Sequence, residues 1–172
     1  MKKIFESKIK LTLAATAAIF VIAIGLCQLC ELLFGLPEQN QVEVIRSLAG
    51  WNLKFALVAF GVLFVSPPLE ELLFRFPTRF VKHPAFAVVI SALFSFCHYL
   101  DYAVLFATLR GEATGAPMLM PVSNAFLALF FVGLAWCWLY RRTGRIWCTM
   151  TSHSLFNLVN LVLALVLPAP QG

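Results

Sequence analysis

Long apolar stretches limit what this chain can fold into. Each holds roughly 20 residues, and a helix of that length crosses a bilayer core about 30 Å thick. Inside that core the backbone has no water to bond, so a continuous apolar stretch has to become a helix. The stretches cover residues 11–34, 51–66 with a continuation over 68–80, 85–107, 122–140 and 146–167. We therefore predict one all-α membrane domain over residues 1–172, a polytopic bundle of about five spans.

The basic residues lie at the ends of the apolar stretches. Because 61% of the residues are hydrophobic and only 12% are charged, the net charge of +5 points to membrane orientation rather than to nucleic-acid binding. With five spans, ten basic residues fall on one side: Lys2, Lys3, Lys8, Lys10, Arg75, Arg79, Lys82, Arg141, Arg142 and Arg145. Arg46, Lys54 and Arg110 fall on the other. This excess predicts a cytoplasmic N-terminus and an external C-terminus. The signal-like, Lys-rich start predicts a multi-pass protein of the cell inner (plasma) membrane.

Two adjacent carboxylates and an arginine interrupt the apolar pattern within residues 67–75. An ionisable residue at membrane depth is costly and indicates a functional site. Residues four apart share a helix face, so Glu71 faces Arg75 in an ion pair that makes the burial of both tolerable. Glu70 points elsewhere, into a predicted polar cavity, where a carboxylate can act as a general base. We also expect the two prolines just before this motif to break or kink the helix before it resumes.

Two histidines lie in later apolar stretches. His98 follows Phe94 by four residues and precedes Asp101 by three, and we expect Asp101 to orient the imidazole through one ring nitrogen. His153 precedes Asn157 by four residues, so an imidazole and an amide share a face and can donate hydrogen bonds to a developing oxyanion. These pairings predict two further parts of one polar site.

The three candidate groups lie at similar depths. At 1.5 Å per residue from the basic ends of their helices, Glu70 lies ~15 Å deep, His153 ~12 Å and His98 ~21 Å. We therefore expect one carboxylate and two histidines from three helices to meet, as a hydrolytic site requires. Glu70 and His98 would then activate water, or all three would bind Zn²⁺ as a His₂Glu site with an open position for water. No His-Glu-x-x-His motif is present, and spacing leaves both chemistries open.

Taken together, these residues resemble the motifs of the CPBP family of intramembrane proteases, also called the type II CAAX prenyl protease or abortive-infection family. The motifs are Glu-Glu-x-x-x-Arg, Phe-x-x-x-His and His-x-x-x-Asn/Asp. They are matched in order by Glu70, Glu71 and Arg75, by Phe94 and His98, and by His153 and Asn157. The resemblance covers roughly residues 51–165 and implies an all-helical membrane fold with a water-filled cavity that hydrolyses peptide bonds.

The resemblance also implies roles for these residues. Glu70 and His98 would activate water, while His153 and Asn157 would stabilise the oxyanion. The remaining three, Glu71, Arg75 and Phe94, would support the site. This is a glutamate-type mechanism without a cofactor, which we favour over zinc.

The leading hypothesis is an intramembrane endopeptidase that cuts a membrane-anchored peptide or a C-terminal tail. Its expected partners are membrane lipids and that anchored substrate, with no nucleic acid. One alternative is a non-catalytic bacteriocin-immunity or binding protein on the same scaffold, although a pure binder need not keep the whole set of polar residues. Another is a small transporter with a proton relay, against which the lack of repeated halves counts.

Overall fold

The structure is a computed structural model that describes residues 2–37, 52–112 and 115–166. Its helices are α1 (Lys2–Phe34), α2 (Leu53–Phe60), α3 (Ser66–Phe74), α4 (Pro84–Cys97), α5 (Tyr102–Leu109), α6 (Ala125–Thr143) and α7 (Ile146–Val166). A π-helical turn, Gly61–Val65, joins α2 to α3, and a 3₁₀ turn, Phe76–Arg79, follows α3. Within these ranges the only β pairing is an isolated antiparallel bridge between Leu100 and Leu119.

The predicted all-α membrane bundle is confirmed. Four helical segments in the described ranges are long and apolar enough to cross a membrane: Lys3–Phe34, Leu53–Arg79, Ala125–Thr143 and Ile146–Val166. Helix α4 is apolar but shorter. The chain is therefore a multi-pass membrane protein. That it forms a single domain stays a prediction. Residues 38–51 and 167–172, which include one end of two predicted spans, lie outside the described residues.

The second span is not broken at its prolines, and of the two expected effects the break is therefore wrong. It stays helical from Leu53 to Arg79, and Pro67 and Pro68 occupy the start of α3. The irregularity lies one turn earlier, where the Ser66 N–H bonds the Gly61 carbonyl in the wider π pattern. Proline has no N–H to give to the preceding turn. The π turn accommodates the hydrogen bonds that the two prolines cannot donate, so the helix continues into the Glu-Glu motif.

The predicted third span over residues 85–107 is wrong in its second half. Helix α4 ends at Cys97, and the backbone then pairs with a later segment: Met120 N–H bonds the Tyr99 carbonyl, and Asp101 N–H bonds the Met118 carbonyl. The Asp101 side chain caps α5 by accepting from the Val104 N–H. Because residues 85–107 taken together are apolar enough for one span, hydropathy does not reveal this turn.

Helices α1, α4 and α6 pack around a common core. It consists of Ala15, Ile19, Ala23, Phe94, Ala128, Val132, Trp136 and Leu139. Where α4 crosses α6, Gly133 lies so close that a Cβ there would be 3.1 Å from the Ser91 Cβ. Small residues let these two helices approach closely, as membrane helices commonly do. This contact fixes α4, which carries His98, against α6.

One end of the bundle carries most of the basic residues, and we call it the basic end. There the Lys8 Nζ donates to the Thr143 carbonyl at 2.7 Å, and Phe5 packs against Trp147. Gly144, with φ +63°, turns the chain from α6 to α7 at this end. Arg75, counted among the ten basic residues of this side, is instead fully buried. Nine of the ten remain, and the side of the membrane that they face stays a prediction.

Candidate active site

Three helical segments bring together the predicted carboxylate and both histidines. Glu70 comes from α3, His98 ends α4, and His153 lies in the second turn of α7. The Glu70 Oε2 lies 3.9 Å from the His98 Nε2 and 3.8 Å from the His153 Nε2. Glu70 and His98 keep side-chain exposures of 23% and 18%, whereas His153 has 4%. The cluster is therefore reachable from one side and closed behind His153.

The protonation of His98 follows from its partner. Its Nδ1 lies 2.9 Å from the Phe94 carbonyl oxygen, which can only accept a hydrogen bond. The Nδ1 therefore carries a hydrogen, and in the neutral ring the Nε2 presents a lone pair toward Glu70. The expectation that Asp101 orients His98 is wrong, because the Phe94 carbonyl and Glu70 face the two ring nitrogens.

His153 is held from two directions. Its Nδ1 lies 3.0 Å from the Glu71 Oε1, and its ring stacks on Trp136 with centroids 4.1 Å apart and planes 27° from parallel. The Trp136 indole N–H donates to the Ser152 hydroxyl at 3.0 Å, and that hydroxyl is in hydrogen-bond contact with Thr16 of α1 at 2.8 Å. Together these contacts fix the plane of the imidazole and leave its Nε2 toward Glu70.

The predicted Glu71–Arg75 pair forms, but Glu71 does more than balance a charge. The Arg75 Nε lies 3.6 Å from the Glu71 Oε2, and both side chains have 0% exposure. The guanidinium carbon lies 4.0 Å from the ring centroid of Phe94 and 5.2 Å from that of Trp136, within cation–π range. The contact between Glu71 and His153 was missed from the sequence, because no spacing rule links residues of different helices.

Phe94 lies at the centre of the cluster. It is fully buried, and its ring contacts those of His98, Trp136 and His153 edge to face. It also covers the Arg75 guanidinium. The predicted supporting residue therefore separates the ion pair from His98 while touching both.

Asn157 is nearby but already engaged. Its Nδ2 donates to the Val62 carbonyl in the π turn at 2.9 Å. In the π pattern that carbonyl would accept from the residue five positions on, which is Pro67 and has no N–H. Asn157 thus supplies the hydrogen-bond donor that the backbone of the second span lacks at Val62. An amide nitrogen carries two hydrogens, so this bond leaves one for an oxyanion.

Ser66 is a further residue that the sequence analysis missed. Its hydroxyl donates to the Glu70 Oε1, so one oxygen of the carboxylate is held while the other faces the histidines. The spacing of four residues on one helix was the signal that could have revealed this pair.

Two hydrogen-bond acceptors, the Glu70 Oε2 and the His98 Nε2, therefore converge on one point, and the His153 Nε2 faces the same point. The Glu70 Oε2 is buried and has no hydrogen-bond partner among the described residues. Such a point suits a donor of hydrogen bonds, such as water, or a cation. In the described ranges, no three His, Cys, Asp or Glu side chains have the arrangement of a metal site as they stand. The donor types are nevertheless those that zinc uses, so zinc remains the alternative chemistry.

Comparison with known proteins gives one match. Residues 52–159, more than half of the chain, match the family model described as type II CAAX prenyl endopeptidase Rce1-like. The matched region begins in the second span and ends just after Asn157. No curated protein and no solved structure matches the chain.

Proposed function

The chain belongs to the Rce1-like family of type II CAAX prenyl endopeptidases, and we propose that it cuts a peptide bond in a membrane-anchored substrate with water activated by Glu70 and His98. The observation that carries this proposal is the convergence of the Glu70 Oε2 on two histidine nitrogens at 3.8–3.9 Å. A water molecule bound there would donate its hydrogens to Glu70 and to the lone pair of His98. Its oxygen would then be left free to attack.

Charge balance supports a separate role for His153. The cluster holds two carboxylates, Glu70 and Glu71, and one permanent cation, Arg75, which leaves one negative charge in a mostly buried site. A proton on His153, between the two carboxylates, neutralises it. The protonated ring keeps its Nδ1–H on Glu71 and offers its Nε2–H to a developing oxyanion. Asn157 would offer its second N–H to the same oxygen.

The reaction balances without another reagent. Water forms a bond to the scissile carbonyl carbon and gives its proton to Glu70, while the carbonyl oxygen becomes an oxyanion bound by His153. The carbon–nitrogen bond then breaks, and Glu70 returns the proton to the leaving amine. Ser66, through the other oxygen of Glu70, holds the carboxylate in place during both transfers.

The substrate class follows from family and location together. The substrate has to reach a site inside a membrane bundle and the products have to leave it. This favours an anchored peptide or a C-terminal tail as the substrate. The proposed location is the cell inner membrane with the basic end in the cytoplasm, since nine basic residues gather there.

The decisive experiment compares protein termini in membranes from cells that carry the wild-type chain, Glu70→Gln or Glu112→Gln. The first variant keeps the shape of the side chain and removes the base. The second makes the same change at a solvent-exposed carboxylate that pairs with Arg110. We expect one set of new termini in wild type and Glu112→Gln that is missing in Glu70→Gln. Identical termini in all three, at equal protein amounts, would refute the protease proposal and favour the immunity or binding alternative.

Metal dependence is tested on the same purified protein. The glutamate-type mechanism predicts that cleavage survives exhaustive chelation and that the active protein holds no stoichiometric metal. Loss of cleavage on chelation, with recovery on adding Zn²⁺, would instead assign Glu70, His98 and His153 as zinc ligands.

A further inference from the structure

A groove of about 450 Å³ runs between α4 and α6 at the basic end, separate from the cluster around Glu70. Its apolar walls include Ala87 and Val88 from α4 and Leu134 and Trp138 from α6. Val88 and Trp138 are 47% and 53% exposed, so the groove opens on the outer face of the bundle, where lipid lies.

The mouth of the groove is strongly positive. Arg141 and Arg142 line it. The Arg141 Nη2 donates to the carbonyls of Val81 and His83, both at 3.3 Å, which fixes the guanidinium beside the start of α4. A guanidinium has five N–H donors, and these bonds use those of Nη2 alone.

We propose that this groove binds one anionic phospholipid, with its phosphate on Arg141 and Arg142 and an acyl chain along the apolar walls. Basic pockets between membrane helices select anionic headgroups, because no headgroup cation balances the single negative charge of the phosphodiester there. The guanidinium N–H groups can bond its oxygens, and the apolar wall excludes water from the acyl chain. Trp138 precedes Arg141 by about one turn, and tryptophan is enriched at the membrane–water interface. A bound lipid would fill the gap between α4 and α6, the two helices that hold His98 and Trp136.

Native mass spectrometry of the delipidated full chain tests the proposal. The protein in neutral detergent receives equal amounts of phosphatidylglycerol and phosphatidylcholine with identical acyl chains. We expect wild type to retain one phosphatidylglycerol in preference. The double variant Arg141→Gln/Arg142→Gln should lower that preference on the order of thirtyfold, since each basic residue near an anionic headgroup contributes about fivefold. Both arginines are exposed, so the variant should still fold.

A matched control removes the same charge from the same end outside the groove, through Arg79→Gln/Arg145→Gln. It should keep the preference, and an equal loss in both double variants would overturn the proposal by showing that only the general charge of the basic end matters. No preference in wild type would overturn it as well.

A last variant separates a lipid from a free phosphate. Val88→Trp fills the groove from its exposed rim and leaves the arginines in place. We expect it to lose the bound lipid. Full retention in Val88→Trp, combined with displacement of the lipid by excess inorganic phosphate, would show that the headgroup charge alone is bound and would refute the groove as an acyl-chain site.

Discussion

Removing one member of the Glu71–Arg75 pair should destabilise the protein far more than the other changes near the site. The Arg75 Nε and Glu71 Oε2 are 3.6 Å apart and both side chains are fully buried. At an effective dielectric constant of about 20, two unit charges at that distance attract by about 5 kcal/mol. Breaking a buried pair from one side costs about 3–5 kcal/mol because a charge is left without its partner. We expect Glu71→Gln and Arg75→Met each to lower the free energy of unfolding by about that amount.

The double variant gives the sharper result. With both charges gone, a methionine can lie between the rings of Phe94 and Trp136, and no buried charge is left over. The loss in Glu71→Gln/Arg75→Met should therefore be smaller than the sum of the single losses by at least about 2 kcal/mol. Reversible unfolding in mixed micelles, followed by tryptophan fluorescence, measures the free energy of unfolding of the wild type, both single variants and the double variant.

An exposed pair provides the control cycle. Arg110 and Glu112 are closer, at 2.7 Å, but both are more than half exposed. Water screens them, so Arg110→Met and Glu112→Gln should show no measurable coupling. Additive losses for the buried pair, or equal coupling in both cycles, would refute the conclusion that burial gives the inner pair its strength.

Substitutions at three further positions test the surroundings of the site. Ser66→Ala should lower kcat with little effect on stability, because Glu70 loses the hydroxyl that holds one of its oxygens, and Ser66→Thr should recover much of the rate. Asn157→Leu should lower the free energy of unfolding by about 1 kcal/mol, since the Val62 carbonyl loses its donor within the membrane. It should also cut kcat by about 10²-fold if the amide serves the oxyanion. A loss of stability without a loss of rate would show that Asn157 is a structural residue only. Gly133→Val should destabilise the protein by about 1–3 kcal/mol, because α4 and α6 have no room for a larger side chain, and a thermal-shift series with Gly133→Ala as the intermediate step measures it.

The parts of the fold that depend on hydropathy alone were predictable from the sequence. Continuous apolar stretches identified α6 and α7 within three residues at each end, because a membrane helix needs length and apolarity and little else. For α1 they identified the end at Phe34, but the helix begins at Lys2, nine residues before the predicted span. The same property made residues 85–107 look like one span. The turn after Cys97 depends on the cap that Asp101 provides and on pairing with residues 118–120, and neither has a hydropathy signature.

The site was predictable where its contacts are local. Spacing along one helix placed Glu71 against Arg75 and put Phe94 beside His98, and similar depths brought Glu70 and the histidines together. Contacts between helices were not predictable in this way. The stacking of Trp136 on His153 and the use of Asn157 by the π turn depend on how α6 and α7 rotate about their own axes, which a single sequence does not specify.

The prolines before the Glu-Glu motif leave a backbone carbonyl of the second span without a helical donor. Both residues that could bond the Leu63 carbonyl, four and five positions on, are proline. The Val62 carbonyl is bonded by a side chain from α7 rather than by its own helix. Polar backbone at this depth is tolerated only where it is buried in protein or meets water. About two turns before Glu70, the Leu63 carbonyl is therefore a hydrogen-bond acceptor for water inside the apolar layer. A hydrolase consumes one water molecule in every cycle. We expect the Leu63 carbonyl to bind such a water molecule on its way from the membrane surface to the Glu70 carboxylate.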